Sequence, residues 1–189
     1  AGVPMSKEPV VEEPVVEEPV VEEPVASAPT RYGLPVVEAT GQIVLHPEVD
    51  QWLDTVSALQ ADGFCMANDV TAVAYSDKPG RTEQPAGVSP ERFEVVASFI
   101  DHAGGRRVRL RAQVSEADPV VPSLFDLLPG TEAMEREAGD LVGVAFDGHP
   151  DHTRILMPED WVGHPLRRDV AIGAIPVQFK AAPAARCPT

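Results

Sequence analysis

The sequence predicts an α+β domain: a small mixed or antiparallel sheet with helices packed on it, followed by an extended C-terminal segment. Three observations predict it. Apolar residues recur at helical spacing across residues 47–63. Two alternating runs, 91–101 and 106–114, flank a Gly-Gly turn. After Phe146 the periodicity fades into a stretch punctuated by proline and glycine. The 189 residues suffice for one ordinary domain and a tail. A chain of roughly 150 ordered residues buries about 68–70% of its unfolded surface, so the core needs no staples.

Formal charge is −15. Residues 1–30 hold seven glutamates and one lysine and contribute −6, which leaves −9 for the rest. A surface this acidic repels phosphate backbones and anionic membranes, so neither nucleic acid nor lipid is an expected direct partner. No stretch approaches the roughly 20 apolar residues that span a bilayer. The N-terminus reads neither as a secretory signal nor as a mitochondrial presequence. Cys65 and Cys187 fit a reducing cytoplasm, with a disulfide between them left open. Two cysteines cannot supply the four thiolates of an all-cysteine iron–sulfur cluster.

Residues 8–25 read EPVVEEPVVEEPVVEEPV. Each proline removes a backbone donor and the paired glutamates repel, so residues 1–35 are expected to form a disordered acidic tail. The folded domain, assigned to 36–146, should become regular near Gly41. Pro47 suits a first helical turn, and Val49, Trp52, Leu53, Val56 and Leu59 share a helical stripe that Gly63 ends. Residues 64–75 read as a strand bent near Asn68 and Asp69; 76–90, with three prolines and two glycines, is a loop.

Phe93, Val95, Ala97 and Phe99 alternate in one run, and Val108, Leu110, Ala112 and Val114 in the next. Together they predict a hairpin turning at 102–105. The second strand's other face carries Arg107, Arg109 and Arg111, a solvent-facing row or a basic stripe for an acidic partner. Ser123 and Asp126 resemble a capping box opening a short helix, which Pro129-Gly130 breaks. Thr131 then caps a helix to about Val144, with Met134, Ala138, Leu141 and Val142 on its apolar stripe. A structureless stretch as long as 147–189 is odd inside a compact domain; it makes sense lying on another protein.

From Ser115 onward, DPVVPSL at 118–124, EREAGD at 135–140, DGHPD at 147–151, RILMPEDW at 154–161 and GHPLRRD at 163–169 follow in order with short spacers. This stretch is similar to the thirty-kilodalton subunit of bacterial NADH–quinone oxidoreductase, respiratory complex I, over residues 91–179. The departures are Ala133, Gly139 and Val142 where bulkier or aromatic residues are usual, Thr153 where a basic residue is usual, and Val170 where tyrosine is usual.

The resemblance implies a non-catalytic, peripheral-arm subunit of a proton-translocating complex at the cytoplasmic face of the cell membrane. It would scaffold the quinone-reducing module beside the large subunit that helps form the quinone pocket. FMN and iron–sulfur clusters would sit in other subunits; this chain would hold no cofactor and be inactive alone. An equivalent subunit of a complex-I-related membrane-bound hydrogenase is the alternative.

The residues themselves favour partner binding over chemistry. Glu135, Arg136, Glu137 and Asp140 crowd one helical stretch, where paired carboxylates could do acid–base work but more simply form a charged, interfacial face. His149, Asp151 and His152, with His164, could suggest a divalent metal site and a metal-dependent hydrolase. His149 and His164 precede prolines without a regular scaffold, however, so backbone hydrogen bonding is the expectation. Arg154, Arg167 and Arg168 lie among Glu159, Asp160 and Asp169, and arginine forks suit fixing a strap on a partner. Trp161 is a candidate interface anchor or a core residue. A free adaptor docking through the acidic tail is a further alternative.

Overall fold

The computed structural model describes residues 30–39, 42–75 and 84–167. Its elements are β1 (Thr30–Arg31), β2 (Leu34–Ala39), β3 (Gln42–Leu45), α1 (Trp52–Ala61), β4 (Met66–Ala74), β5 (Phe93–Asp101), β6 (Arg106–Val114), β7 (Val120–Pro122), α2 (Glu132–Val142) and β8 (Ala145–Asp147). The main sheet has six strands in the order β1-β2-β3-β6-β5-β4. Of its neighbouring pairs, β3 and β6 run parallel and the others antiparallel. β7 and β8 form a separate parallel pair.

The mixed α+β expectation holds, and its helix, bent strand and hairpin lie where periodicity put them. Residues 49–51 form a 3-10 turn leading into α1. Gly63 follows the helix at φ +99°, a backbone that favours glycine. The register of β4 shifts between Ala67 and Asp69, which is the bend expected there. The alternating residues of β5 and β6 pair along their whole length, from Phe93 with Val114 to Asp101 with Arg106. Of the expected loop 76–90, residues 76–83 lie outside the described residues.

Two expectations need correction. Regular structure starts earlier than Gly41, because β1 and β2 fall at 30–39, partly inside the stretch assigned to the acidic tail. Residues 35–38 read PVVE, almost the tail's own repeat. What distinguishes them is a neighbour: β3 pairs with them from Val36–Leu45 to Ala39–Gln42, while Leu34 is buried in the core. The helix expected at Ser123 is absent; 123–128 is a turn in which the Leu127 and Leu128 amides both donate to the Leu124 carbonyl. The Ser123 hydroxyl donates to Glu135 instead of serving a helix start, and Pro129 stops propagation.

The core lies on one face of the sheet. Trp52, Val56 and Leu59 of α1 and Ala138 and Val142 of α2 join Leu45, Phe93, Val95, Ala97, Phe99, Val108, Leu110, Ala112 and Val114 in a single cluster. The other face carries the alternate residues. There Glu94, almost fully buried, accepts from Arg111 through two nitrogens (2.8 and 3.0 Å) and from Gln113 (2.6 Å). A charge so enclosed is tolerated because its lone pairs are occupied.

His46, just past β3, is 4% exposed, and neither ring nitrogen has a hydrogen-bond partner among the described residues. Burial, and then the Arg111 charge, push its imidazole down from 6.5 to about 4, against an opposing pull from Glu94. The folded state therefore binds this proton less readily than the unfolded chain. Stability should fall as pH drops from about 6.5 to about 4, by on the order of 3 kcal/mol, and then level off for this group. His46→Leu is expected to remove that slope in denaturant titrations across the window; an unchanged slope would refute the assignment.

Candidate partner-binding site

The predicted site residues gather around α2 and the non-regular segment that follows it. Glu132 and Glu135 sit in the first turn of α2, where carboxylates favour the helix dipole. Thr131 stands at the N-cap position but does not cap. Its hydroxyl lies 3.0 Å from the Leu128 carbonyl and 3.1 Å from Glu135. At the other end Gly143 adopts φ +83° and its amide returns to the Ala138 and Gly139 carbonyls.

The chain then runs through β8, turns at Gly148 and comes back along α2 as a strap, residues 148–167. Four anchors hold it. Arg136 donates to the Thr153 carbonyl (2.7 Å) and hydroxyl (2.9 Å) and pairs with Asp151 (3.0 Å). His149 accepts the Asp151 amide at Nδ1 (3.1 Å), so Nε2 carries the proton and donates to the Glu132 carbonyl (2.9 Å). Asp140 takes three successive strap amides on Oδ2, from Ile155 (3.1 Å), Leu156 (2.8 Å) and Met157 (2.8 Å), and Arg154 on Oδ1 (2.6 Å). Burial pushes the Asp140 carboxyl up, but these amides and Arg154 outweigh it and hold it down at about 2.

The fourth anchor closes the helix end. The last carbonyls of an α-helix lack intrahelical partners. Here the strap supplies them: His164 Nδ1 donates to the Asp140 carbonyl (2.9 Å), the Leu166 amide to Leu141 (3.0 Å), and Arg167 to Val142 (2.6 Å) and Gly143 (3.3 Å). Arg154 also reaches the Gly163 carbonyl (3.0 Å). Arginines at this negative end are favourable twice, as donors and as charges, and the Arg167 guanidinium also lies 5.0 Å from the Phe93 ring centroid.

Several expected partner-binding side chains are thus turned toward their own chain. Glu135, 0% exposed, accepts from Ser123 (2.5 Å), the Leu124 amide (2.7 Å) and Thr131, fixing the 123–131 turn on α2. Asp140 and His149 are likewise buried, and Arg136, Arg154, His164 and Arg167 are engaged with the strap or helix end. These residues hold the strap and the helix end. Thr153 accepts from Arg136 where the resemblance expects a cation, which would repel that arginine. Glu159 and Asp160 are exposed, and Glu137 too stands on the solvent side of α2; Trp161 is half-buried, and Arg168 and Val170 lie outside the described residues.

Sequence reading missed the strap's apolar exposure. Leu156, Val162 and Leu166 are 55%, 94% and 59% exposed, with Ile155 beside them at 39%. Their signal was legible, since large apolar residues occur in a segment too irregular to fold by itself. Gly143 was also missed, although glycine after a helical stripe is an end signal. Between strap and helix runs a groove of about 280 Å³, lined among others by Gly139, Phe146, His152 and His164. Among the described residues no three His, Cys, Asp or Glu side chains converge as a metal site. His149 bonds backbone groups, as expected, and Asp151, the second member of the alternative metal trio, pairs with Arg136.

Fold and site together define an α+β domain with a strap laid back along its second helix. Buried charges fix a strap's backbone inward and leave its apolar side chains facing out. The chain belongs to the family of the respiratory-chain NADH dehydrogenase 30 Kd subunit, whose model matches residues 45–175. It is 53% identical over 142 residues to the NADH-quinone oxidoreductase C subunit of Roseiflexus castenholzii, covering 75% of this chain and 77% of that protein. It is 37% identical over 150 residues to the same-named subunit of a Nocardioides species, covering 77% of this chain and 55% of the relative. To that of Saccharopolyspora erythraea it is 35% identical over 157 residues, covering 82% and 59%. The chain thus spans little more than half the length of these last two relatives. Among solved structures, the trypsin-resistant fragment (1-134) of Nqo5 is similar at 30% identity and TM-score 0.55, covering 63% of this chain and 89% of that one. A chain of the archaeal membrane-bound sulfane sulfur reductase shares the fold at 18% identity and TM-score 0.56, covering 77% and 85%.

Proposed function

We propose that this chain is a scaffolding subunit of NADH–quinone oxidoreductase that docks a neighbouring subunit through its strap. One observation carries the reading: Leu156, Val162 and Leu166 face solvent on a segment whose polar backbone is fixed inward by Asp140 and Arg154. Exposed apolar side chains on a pre-organised backbone lose little entropy on association, and an apolar patch of this kind marks a protein contact. Glu137, Glu159, Asp160, Trp161 and Arg168 would form its polar and aromatic rim. The expected neighbour is the large quinone-pocket subunit, with FMN and iron–sulfur clusters in other subunits and the isolated chain inactive. No helix among the described residues is long and apolar enough to cross a membrane, so attachment at the cytoplasmic face would come through the complex. The hydrogenase alternative is not favoured, because the relatives carry the name of an NADH-quinone oxidoreductase subunit.

The test uses exposed positions, so that folding is spared. Leu156→Asp, Val162→Asp and Leu166→Asp together are expected to leave the melting temperature within a few degrees. They should cut co-purification of the large subunit and membrane NADH–quinone reductase activity at least tenfold. Full assembly of the triple variant would reject docking through the strap. Retained assembly with lost activity would reject a purely scaffolding role.

A further inference from the structure

Among the described residues no helix packs on the second face of the sheet, since both helices join the core cluster on the first; Val44 and Glu94 on this face are nonetheless buried. Strand register places Val37 of β2, Val44 of β3, Arg107, Arg109 and Arg111 of β6, and Val96, Ser98 and Ile100 of β5 on it. Arg111 is neutralised by Glu94. Arg106, Arg136 and Arg154 are ion-paired elsewhere. Arg107 and Arg109 are exposed and make no ion pair or hydrogen bond among the described residues. On a chain of net charge −15 they form an isolated cationic spot set among β-branched apolar residues.

We propose that this face is the docking surface for the chain's own acidic repeat, residues 8–25, bound in cis. The repeat lies outside the described residues, but its charge, composition and point of attachment suit this face. It alternates paired valines with paired glutamates and carries seven carboxylates in all. The rest of the chain, itself acidic, repels those carboxylates, whereas Arg107 and Arg109 attract them. Val37, 38% exposed, and half-buried Val96 and Ile100 offer the valines an apolar bed.

The reach is sufficient. The repeat ends at Val25 and β1 begins at Thr30 on the edge of this sheet. β6 is three strands in from β1, about 14 Å at the usual strand spacing. Five extended residue steps span about 16 Å. The repeat's prolines restrict its backbone beforehand, which lowers the entropic cost of lying down. An acidic partner for the same face would have to displace the repeat.

The test compares backbone amide NMR spectra of the full chain with those of a chain lacking residues 8–25. At low salt, the amides of 96–100 and 107–109 are expected to shift on deletion. The difference should collapse near 0.5 M salt, where the Debye length falls to about 4 Å. Adding a peptide of residues 6–27 to the shortened chain should restore the original positions. Arg107→Glu with Arg109→Glu in the full chain should reproduce the deletion spectrum; should that variant misfold, the salt titration of the unaltered chain still decides. Spectra indifferent to deletion and salt would overturn the proposal in favour of a merely solvated face. Shifts that grow with protein concentration would overturn it in favour of a second copy. Repeat signals that shift only when another subunit co-purifies would overturn it in favour of a partner.

Discussion

Asp140→Ala is expected to release the strap while leaving the sheet folded. The carboxylate takes three consecutive backbone amides and one guanidinium, and its side chain is fully enclosed. Removing it leaves Arg154 facing only carbonyls and three amides without acceptors. Breaking a buried pair of this kind costs about 3–5 kcal/mol. Because the strap lies on the surface, it can escape the penalty by detaching into water, so the loss should appear as local opening. Proteolytic cleavage within 148–167 is expected to accelerate at least a hundredfold, with far less change in the melting of the β5–β6 core. Cleavage within threefold of the unaltered protein would show that the other anchors hold the strap unaided.

The same carboxyl makes a pH prediction. Its folded value, about 2, lies below the ordinary 3.8. The stability it confers is therefore present above about pH 4 and is lost as pH falls toward 2, on the order of 2 kcal/mol in all. The strap should stay protected at pH 5 and become cleavable by pepsin between about pH 4 and 2. That window lies below the one set by His46, so the two groups separate on a titration.

Gly143→Val should produce the second large effect. The position has φ +83°, where a β-branched residue is strained by roughly 1–2 kcal/mol. A Cβ there would also lie 2.6 Å from His164 Cδ2 and would collide with the Arg167 guanidinium. Those two side chains satisfy the Asp140, Val142 and Gly143 carbonyls, so displacing them uncaps α2. The combined cost should be about 3 kcal/mol or more, read as a lowered melting temperature and loss of the Arg167–Phe93 contact. Gly143→Ala should show a smaller share of the same effect. Glu137→Ala, on the solvent side of the same helix, should stay within about 0.5 kcal/mol. A Gly143→Val protein as stable as the parent would mean that the helix end is capped some other way.

Local order was legible where one element carries its own pattern. The stripe of Trp52, Val56 and Leu59, the alternation of Phe93, Val95, Ala97 and Phe99, and the turn between β5 and β6 all follow from periods of 3.6 and 2. Such periods report which side of an element is apolar regardless of what covers it. Strand β2 was not legible, since PVVE at 35–38 shares the letters of the acidic repeat and differs in having β3 beside it. Ser123 misled for a related reason: its hydroxyl had a better acceptor, Glu135, twelve residues further on.

By itself, then, the sequence determined the fold class, the helix, the hairpin and, through five ordered motifs, the family. Only the tertiary structure decided which way the charges face. Glu135 and Asp140 read as a charged helix surface until turn and strap amides from 11 to 17 residues away close over them. Apolar periodicity is a local property of the chain, whereas a carboxylate's environment depends on which distant backbone donors the fold brings to it. That is why the side chains expected to meet a neighbour hold the strap instead, and why the strap's leucines and valine are left to face outward.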